Sequence, residues 1–128
     1  QKIEFQCDIV FIKLASYEGT SSSGSVKQIM GLTKSVEGKT VVIVEDIVDT
    51  GFTLSTVVKI LKTYKPASIE VASLLDKPSM RKVDDLDIKY VGFVVPAEFV
   101  VGFGLDYDEL YRQLPYVGVL KKEVYTKK

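Results

Sequence analysis

The sequence predicts an α/β fold, built on a mostly parallel twisted sheet flanked by helices. Three observations carry this. Residues 41–44, 69–75 and 90–95 are short, nearly unbroken apolar runs rich in β-branched side chains, the pattern of strands buried on both faces. Between the first two runs, Leu54, Val57, Val58, Leu61 and Tyr64 recur at helical spacing and form one apolar face. Strand, helix, strand in that order is the signature of a parallel crossover. Finally, polar or charged groups stand at three strand ends: Glu45-Asp46, Asp76-Lys77, and the segment running from Val101 to Asp106. Open parallel sheets bind ligands beyond the carboxyl ends of their strands, so one site drawing on all three is the economical expectation.

The elements follow in order. Ile9-Val10-Phe11-Ile12, extended by Lys13-Leu14, reads as a first strand. Residues 16–25 are small, polar and rich in Gly and Ser, and cannot build a core. Two readings stay open for them: a plain flexible linker, or a lid over an active site. Residues 26–32 continue as extended chain, and Gly38-Lys39 marks a turn before a strand at 40–44. Thr50-Gly51-Phe52-Thr53 is a short turn that opens the helix, and Lys65-Pro66 stops it. Pro96 closes the third strand, and residues 117–120 read as a fourth. With no internal repeat and no domain boundary, residues 1–128 read as a single domain.

Bulk composition excludes several classes. The 128 residues suffice for one domain with a real core. The 17 basic residues balance 17 acidic ones, which argues against a nucleic-acid or membrane-surface partner. There is no histidine, so Ser-His-Asp and Cys-His catalysis and His-ligated metals are ruled out. Proton transfer falls to Asp, Glu, Lys or Tyr. One cysteine, Cys7, permits no internal disulfide and no thiolate cluster. Its place before an apolar run reads as a buried structural thiol, and a reducing, cytoplasmic setting fits. No apolar run approaches the roughly 20 residues of a membrane span.

Chemistry concentrates in residues 41–55. Three carboxylates, Glu45, Asp46 and Asp49, follow the apolar run within five positions. Acids at the end of a buried strand are costly unless they face a cleft or a cation. A Gly/Thr turn at a helix start offers backbone N–H groups to an anion. Hydroxyl or metal ligands next to a phosphate cradle suit a phosphorylated sugar.

This pattern of apolar run, Glu-Asp, two apolar residues, Asp-Thr-Gly, any residue and Thr resembles the phosphoribosyl-diphosphate (PRPP) motif of type I phosphoribosyltransferases. Neither a Gly-x4-Gly-Lys nor a Gly-x-Gly-x-x-Gly turn is present. Other segments are similar to the hypoxanthine–guanine phosphoribosyltransferases. Ser16-Tyr17 and the Gly/Ser/Thr run resemble their catalytic loop, and Leu74-Leu75-Asp76-Lys77 resembles the strand carrying their base-recognising lysine. Val91-Gly92-Phe93, Pro96, residues 99–107 and Arg112-Gln113-Leu114-Pro115-Tyr116 resemble their purine-binding and C-terminal segment. The likeness covers about residues 7–120.

The resemblance implies the type I phosphoribosyltransferase fold and a purine-salvage reaction. A 6-oxopurine attacks C1 of PRPP through N9, yielding a purine 5′-monophosphate and pyrophosphate. Asp49, Thr50, Gly51, Phe52 and Thr53 would hold the 5′-phosphate, and Glu45 and Asp46 the ribose hydroxyls, directly or through Mg²⁺. Asp49 would accept the proton of purine N7. Lys77 would donate to the 6-oxo group, Phe99 would stack on the base, and Val100 would read its edge through the backbone. Asp106 would lie near a second Mg²⁺ or the pyrophosphate, Arg112 would pair with pyrophosphate, and Ser16 and Tyr17 would sit on the lid. The family's first strand and its pyrophosphate-binding loop have no counterpart before Cys7, so an N-terminally incomplete domain is expected. Family members are usually homodimers or homotetramers. The rival readings are a xanthine- or uracil-directed phosphoribosyltransferase, a PRPP-sensing nucleic-acid-binding regulator on the same fold, and a non-catalytic remnant.

Overall fold

A computed structural model describes residues 2–18 and 25–126. They group into two compact units, one of the described residues up to 43 together with 52–70, the other of residues 44–51 and 71–126.

In the first unit, β1 (Lys13–Glu18) and β2 (Ser25–Met30) form an antiparallel hairpin with Lys13 opposite Met30 and Glu18 opposite Ser25. Residues 9–12, expected in the first strand, lie outside it, and Ile9 and Phe11 are exposed. The reason is the partner strand's end. After Met30 the chain turns at Gly31, in the left-handed region at φ +90°, leaving residues 9–12 without a ladder. Any side chain on Gly31 would collide with the Phe11 carbonyl oxygen. Cys7, expected to be buried, is exposed, because the run it precedes is not a packed strand.

The helix α1 (Phe52–Thr63) buries Leu54, Ser55, Val57 and Leu61, the face its periodicity predicted, and packs against β2. Tyr64 falls just past the helix and is largely exposed. The chain leaves α1 through Lys65 at φ +57°, whose carbonyl accepts the Gly38 N–H at 3.0 Å. This hydrogen bond ties the predicted Gly38-Lys39 turn to the helix end.

The second unit holds the carboxyl halves of β3 (Thr40–Val48) and β4 (Ser68–Asp76) and all of β5 (Tyr90–Val94). The strand order is β3-β4-β5 and the sheet is parallel, with Ala72 opposite Tyr90 and Asp76 opposite Val94. Gly92 is required here, since a Cβ would sit 2.5 Å from the Leu74 carbonyl oxygen of the neighbouring strand. Val48, Val71, Leu75, Val100, Val101 and Leu120 are buried.

The strands are not buried on both faces as expected. Val44 is 78% exposed and Phe93 65% exposed, while Val71, Ser73 and Leu75 alternate into the core. The one α-helix among this unit's described residues, α2 (Lys122–Tyr125), has four residues and is too short to cover a sheet face. The expected fourth strand is a two-residue β7 (Gly118–Val119), paired antiparallel with β6 (Val100–Val101) and outside the parallel sheet.

Candidate active site

β3 and β4 are neighbours in the sheet, so their carboxyl ends lie side by side. Asp49 is the first residue after β3 and Lys77 the first after β4. The Lys77 N–H donates to the Val48 carbonyl at 3.0 Å, and its Nζ lies 3.3 Å from Asp49 Oδ1. Lys77 is buried, whereas the Asp49 side chain is half exposed. A buried ammonium needs a partner, and Asp49 supplies one from the adjacent strand end.

The turn after β3 is held from one side by the segment after β4. Pro78 opens a single 3-10 turn (Pro78–Met80) that delivers Arg81 and Lys82. The Arg81 guanidinium pairs with the buried Asp76 carboxylate, and its Nε–H donates to the Asp49 carbonyl at 3.2 Å. The Lys82 N–H donates to the Thr50 carbonyl at 2.9 Å. Gly51 is buried and left-handed at φ +86°, with Val83, Leu86 and the Arg81 stem pressed against it. Sequence reasoning missed Arg81. A basic residue four positions beyond a lysine carries no pattern signal, and only the pairing with Asp76 gives it a role.

Glu45 and Asp46 lie within β3, which runs on to Val48, rather than beyond its end. Glu45 is half-buried and Asp46 exposed, and the Ile47 N–H donates to Asp46 Oδ1 at 2.7 Å. Partial burial, and secondarily the charge of Asp46, push the Glu45 carboxyl above its ordinary pKa.

Phe99 precedes β6 and its carbonyl accepts the Leu120 N–H at 2.7 Å. Its ring meets Tyr107 edge-on at 5.4 Å and Tyr125 of α2 at 5.7 Å, tilted 31°. Those two tyrosines, unnoticed in the sequence, steady a ring that remains partly exposed. Val100 is buried in β6.

The segment after β6 is tightly wound, with Phe103, Asp108, Glu109 and Tyr111 all in the left-handed region. Arg112 staples it, donating to the Gly104 carbonyl at 2.8 Å and to Glu109 at 3.0 Å, with Asp106 at 3.3 Å. The hydrogen bond that Arg112 donates to Glu109 holds its pKa above the ordinary value, with the charge of Asp106 adding to it.

The structure therefore brings Asp49, Thr50, Gly51 and Lys77 together. Glu45, Asp46, Phe99, Val100, Asp106 and Arg112 belong to the same unit. Phe52 and Thr53 open α1, and Ser16 and Tyr17 lie in β1, all in the other unit. Residues 19–24, most of the expected lid, lie outside the described residues.

Known proteins resemble this chain over most of its length. The model of the phosphoribosyl transferase domain family matches residues 2–108. A hypoxanthine-guanine phosphoribosyltransferase of Staphylococcus epidermidis is 50% identical over 128 residues, spanning 99% of this chain and 71% of the relative. The chain belongs to the hypoxanthine-guanine phosphoribosyltransferase family.

A hypoxanthine phosphoribosyltransferase structure from Staphylococcus aureus superposes with a TM-score of 0.83 at 49% identity, covering 97% of this chain and 67% of that one. One from Trypanosoma cruzi, solved as a ternary substrate complex, reaches 0.78 at 41% identity, covering 91% and 62%. The fold is thus the type I phosphoribosyltransferase fold. The chain spans about two thirds of these family members' length.

Phosphoribosyltransferases of this family use a divalent metal with PRPP. Among the described residues, no three His, Cys, Asp or Glu side chains gather as a metal site. Magnesium does not require that, because it typically takes one or two carboxylates and completes its shell with water and substrate phosphates. Glu45, a half-buried carboxylate beside the exposed Asp46, offers the hard oxygen donors such a partial set needs.

Proposed function

We propose that this phosphoribosyltransferase transfers the ribose 5-phosphate of PRPP to hypoxanthine or guanine, releasing pyrophosphate. One observation carries the reading. The Asp49–Lys77 pair sits at two adjacent strand ends, next to a turn whose carbonyls are tied back. An acid, a cation with donors suited to a carbonyl and a turn suited to an anion, all close to one another, support this reading.

In the proposed reaction the N9 lone pair forms the bond to C1 as the C1–O bond to pyrophosphate breaks. Asp49 takes the proton from N7. Lys77 has three donors, so it can hold Asp49 and still donate to the 6-oxo group, which disfavours adenine's amino group. Thr50 and Gly51, with the helix start at Phe52 and Thr53, take the 5′-phosphate. Glu45 and Asp46 take the ribose hydroxyls.

Glu45, Asp46 or Asp106, together with substrate oxygens, would hold Mg²⁺, which would neutralise charge on the diphosphate. Phe99 stacks on the base, and the Val100 backbone reads its edge. Arg112 would reach pyrophosphate by leaving Glu109, whose side chain is 82% exposed and readily hydrated. Ser16 and Tyr17 would edge a lid that excludes water from C1. The same reading places the enzyme in the cytoplasm as a homodimer or homotetramer. No helix among the described residues is long and apolar enough to cross a membrane.

Pyrophosphate release, measured with PRPP, Mg²⁺ and a panel of hypoxanthine, guanine, xanthine, adenine and uracil, tests the proposal. Turnover with hypoxanthine or guanine, and none with adenine, is expected. Turnover with uracil alone, or with no 6-oxopurine, refutes it.

A further inference from the structure

We propose that Arg81 is the positioning residue that turns the phosphate-binding amides toward the substrate; this rests on the reading of residues 49–51 as the 5′-phosphate cradle. Arg81 bridges two strand ends with one planar group. Its terminal nitrogen pairs with Asp76, the last residue of β4, and its Nε–H donates to the carbonyl of Asp49, just after β3. Its stem packs on Gly51: Cδ lies 3.1 Å from where a Cβ would stand. The next residue, Lys82, donates its N–H to the Thr50 carbonyl.

The consequence follows from peptide geometry. In a planar trans peptide, the C=O of one residue and the N–H of the next point in opposite directions. No cis peptide is present among the described residues. Fixing the Asp49 carbonyl on Arg81 therefore aims the Thr50 N–H away from Arg81. Fixing the Thr50 carbonyl on Lys82 aims the Gly51 N–H away as well. Two successive donors are thus turned away from the segment that holds their carbonyls, the alignment an anion requires. Arg81 thus acts on phosphate through Thr50 and Gly51, without touching it. Lysine cannot replace it, because a point charge can satisfy Asp76 or the Asp49 carbonyl but lacks the rigid fork that reaches both.

Two variants separate positioning from folding. R81K keeps a cation for the buried Asp76. The double variant R81M/D76N removes the charge pair together, so no buried carboxylate is left unpaired. Calorimetric titration with inosine 5′-monophosphate and amide NMR spectra are recorded for each. Both variants are expected to fold, to shift the Thr50 and Gly51 amide resonances, and to bind the nucleotide about tenfold or more weakly, the loss expected for one charged hydrogen bond. Unmoved Thr50 and Gly51 amides overturn the proposal, whatever the affinity. So does wild-type affinity in both variants. A wild-type chain that binds no nucleotide would instead refute the proposed function, while the amide shifts would still decide the role of Arg81.

Discussion

Gly51→Ala isolates the packing of the phosphate turn. Gly51 has φ +86°, a conformation that costs an L-residue about 1–2 kcal/mol. Its new methyl group would lie 2.8 Å from Val83 Cγ2, 3.0 Å from Leu86 Cδ2 and 3.1 Å from Arg81 Cδ. The valine methyl sits on a stiff branched side chain, so relief needs backbone movement, and overpacking of this kind costs about 1–3 kcal/mol. The sum, about 2–5 kcal/mol, is a large part of the about 5–15 kcal/mol that holds a typical domain. Gly104→Ala is the control. It also sits in the left-handed region, at φ +97°, but nothing lies within 4 Å of its Cβ position, so it bears the backbone cost alone. Urea unfolding followed by far-ultraviolet circular dichroism reads both. With a urea dependence of about 2 kcal/mol per molar, the Gly51 variant should unfold about 1–2.5 M earlier than wild type, and earlier than the control. Equal midpoints for the two variants would refute the crowding argument.

Asp49→Asn should lower kcat by about 10²–10⁴, the usual worth of a positioned proton acceptor, with the PRPP KM changed only a few-fold. Turnover close to wild type would remove Asp49 from that role. Lys77→Ala should raise the use of adenine relative to hypoxanthine in competition assays, and an unchanged ratio would contradict the assignment. Glu45 has a folded-state pKa above 4.5, so the stability it allows is complete below 4.5 and is lost as pH rises through the raised value. Without divalent cation, Glu45→Gln should therefore be more stable than wild type at neutral pH. That gain should vanish below pH 4.5, and a gain that persists there would show the wrong cause. Cys7, being exposed, should react completely with a thiol reagent in the native protein; reaction only after denaturation would contradict its placement.

Periodicity was legible wherever an element decides its own geometry. The α1 face of Leu54, Val57 and Leu61 and the strands at 40–44, 69–75 and 90–95 could be read from residues alone, although β3 runs four residues further, to Val48. Burial was not legible to the same degree. Val44 and Phe93 look like core residues, yet apolar content says nothing about whether a neighbour covers that face. Residues 9–12 have strand composition, but a strand needs a partner, and β2 ends opposite Lys13. Arg81 was invisible because its meaning comes from Asp76 and the Asp49 carbonyl, the latter 32 residues away in the chain.

The amino-acid sequence by itself determined the chemistry on offer. It contains no histidine, so proton transfer falls to other groups; it has an acid-rich segment ending in Asp-Thr-Gly; and it has a lysine directly after a strand. Those properties are local, set by residue type and spacing. Only the tertiary structure decided that Asp49 and Lys77 meet, because hydrogen bonding between β3 and β4 aligns strand ends that lie far apart in sequence. It also decided which way the turn faces, since carbonyl directions depend on the donors that a distant segment brings to them.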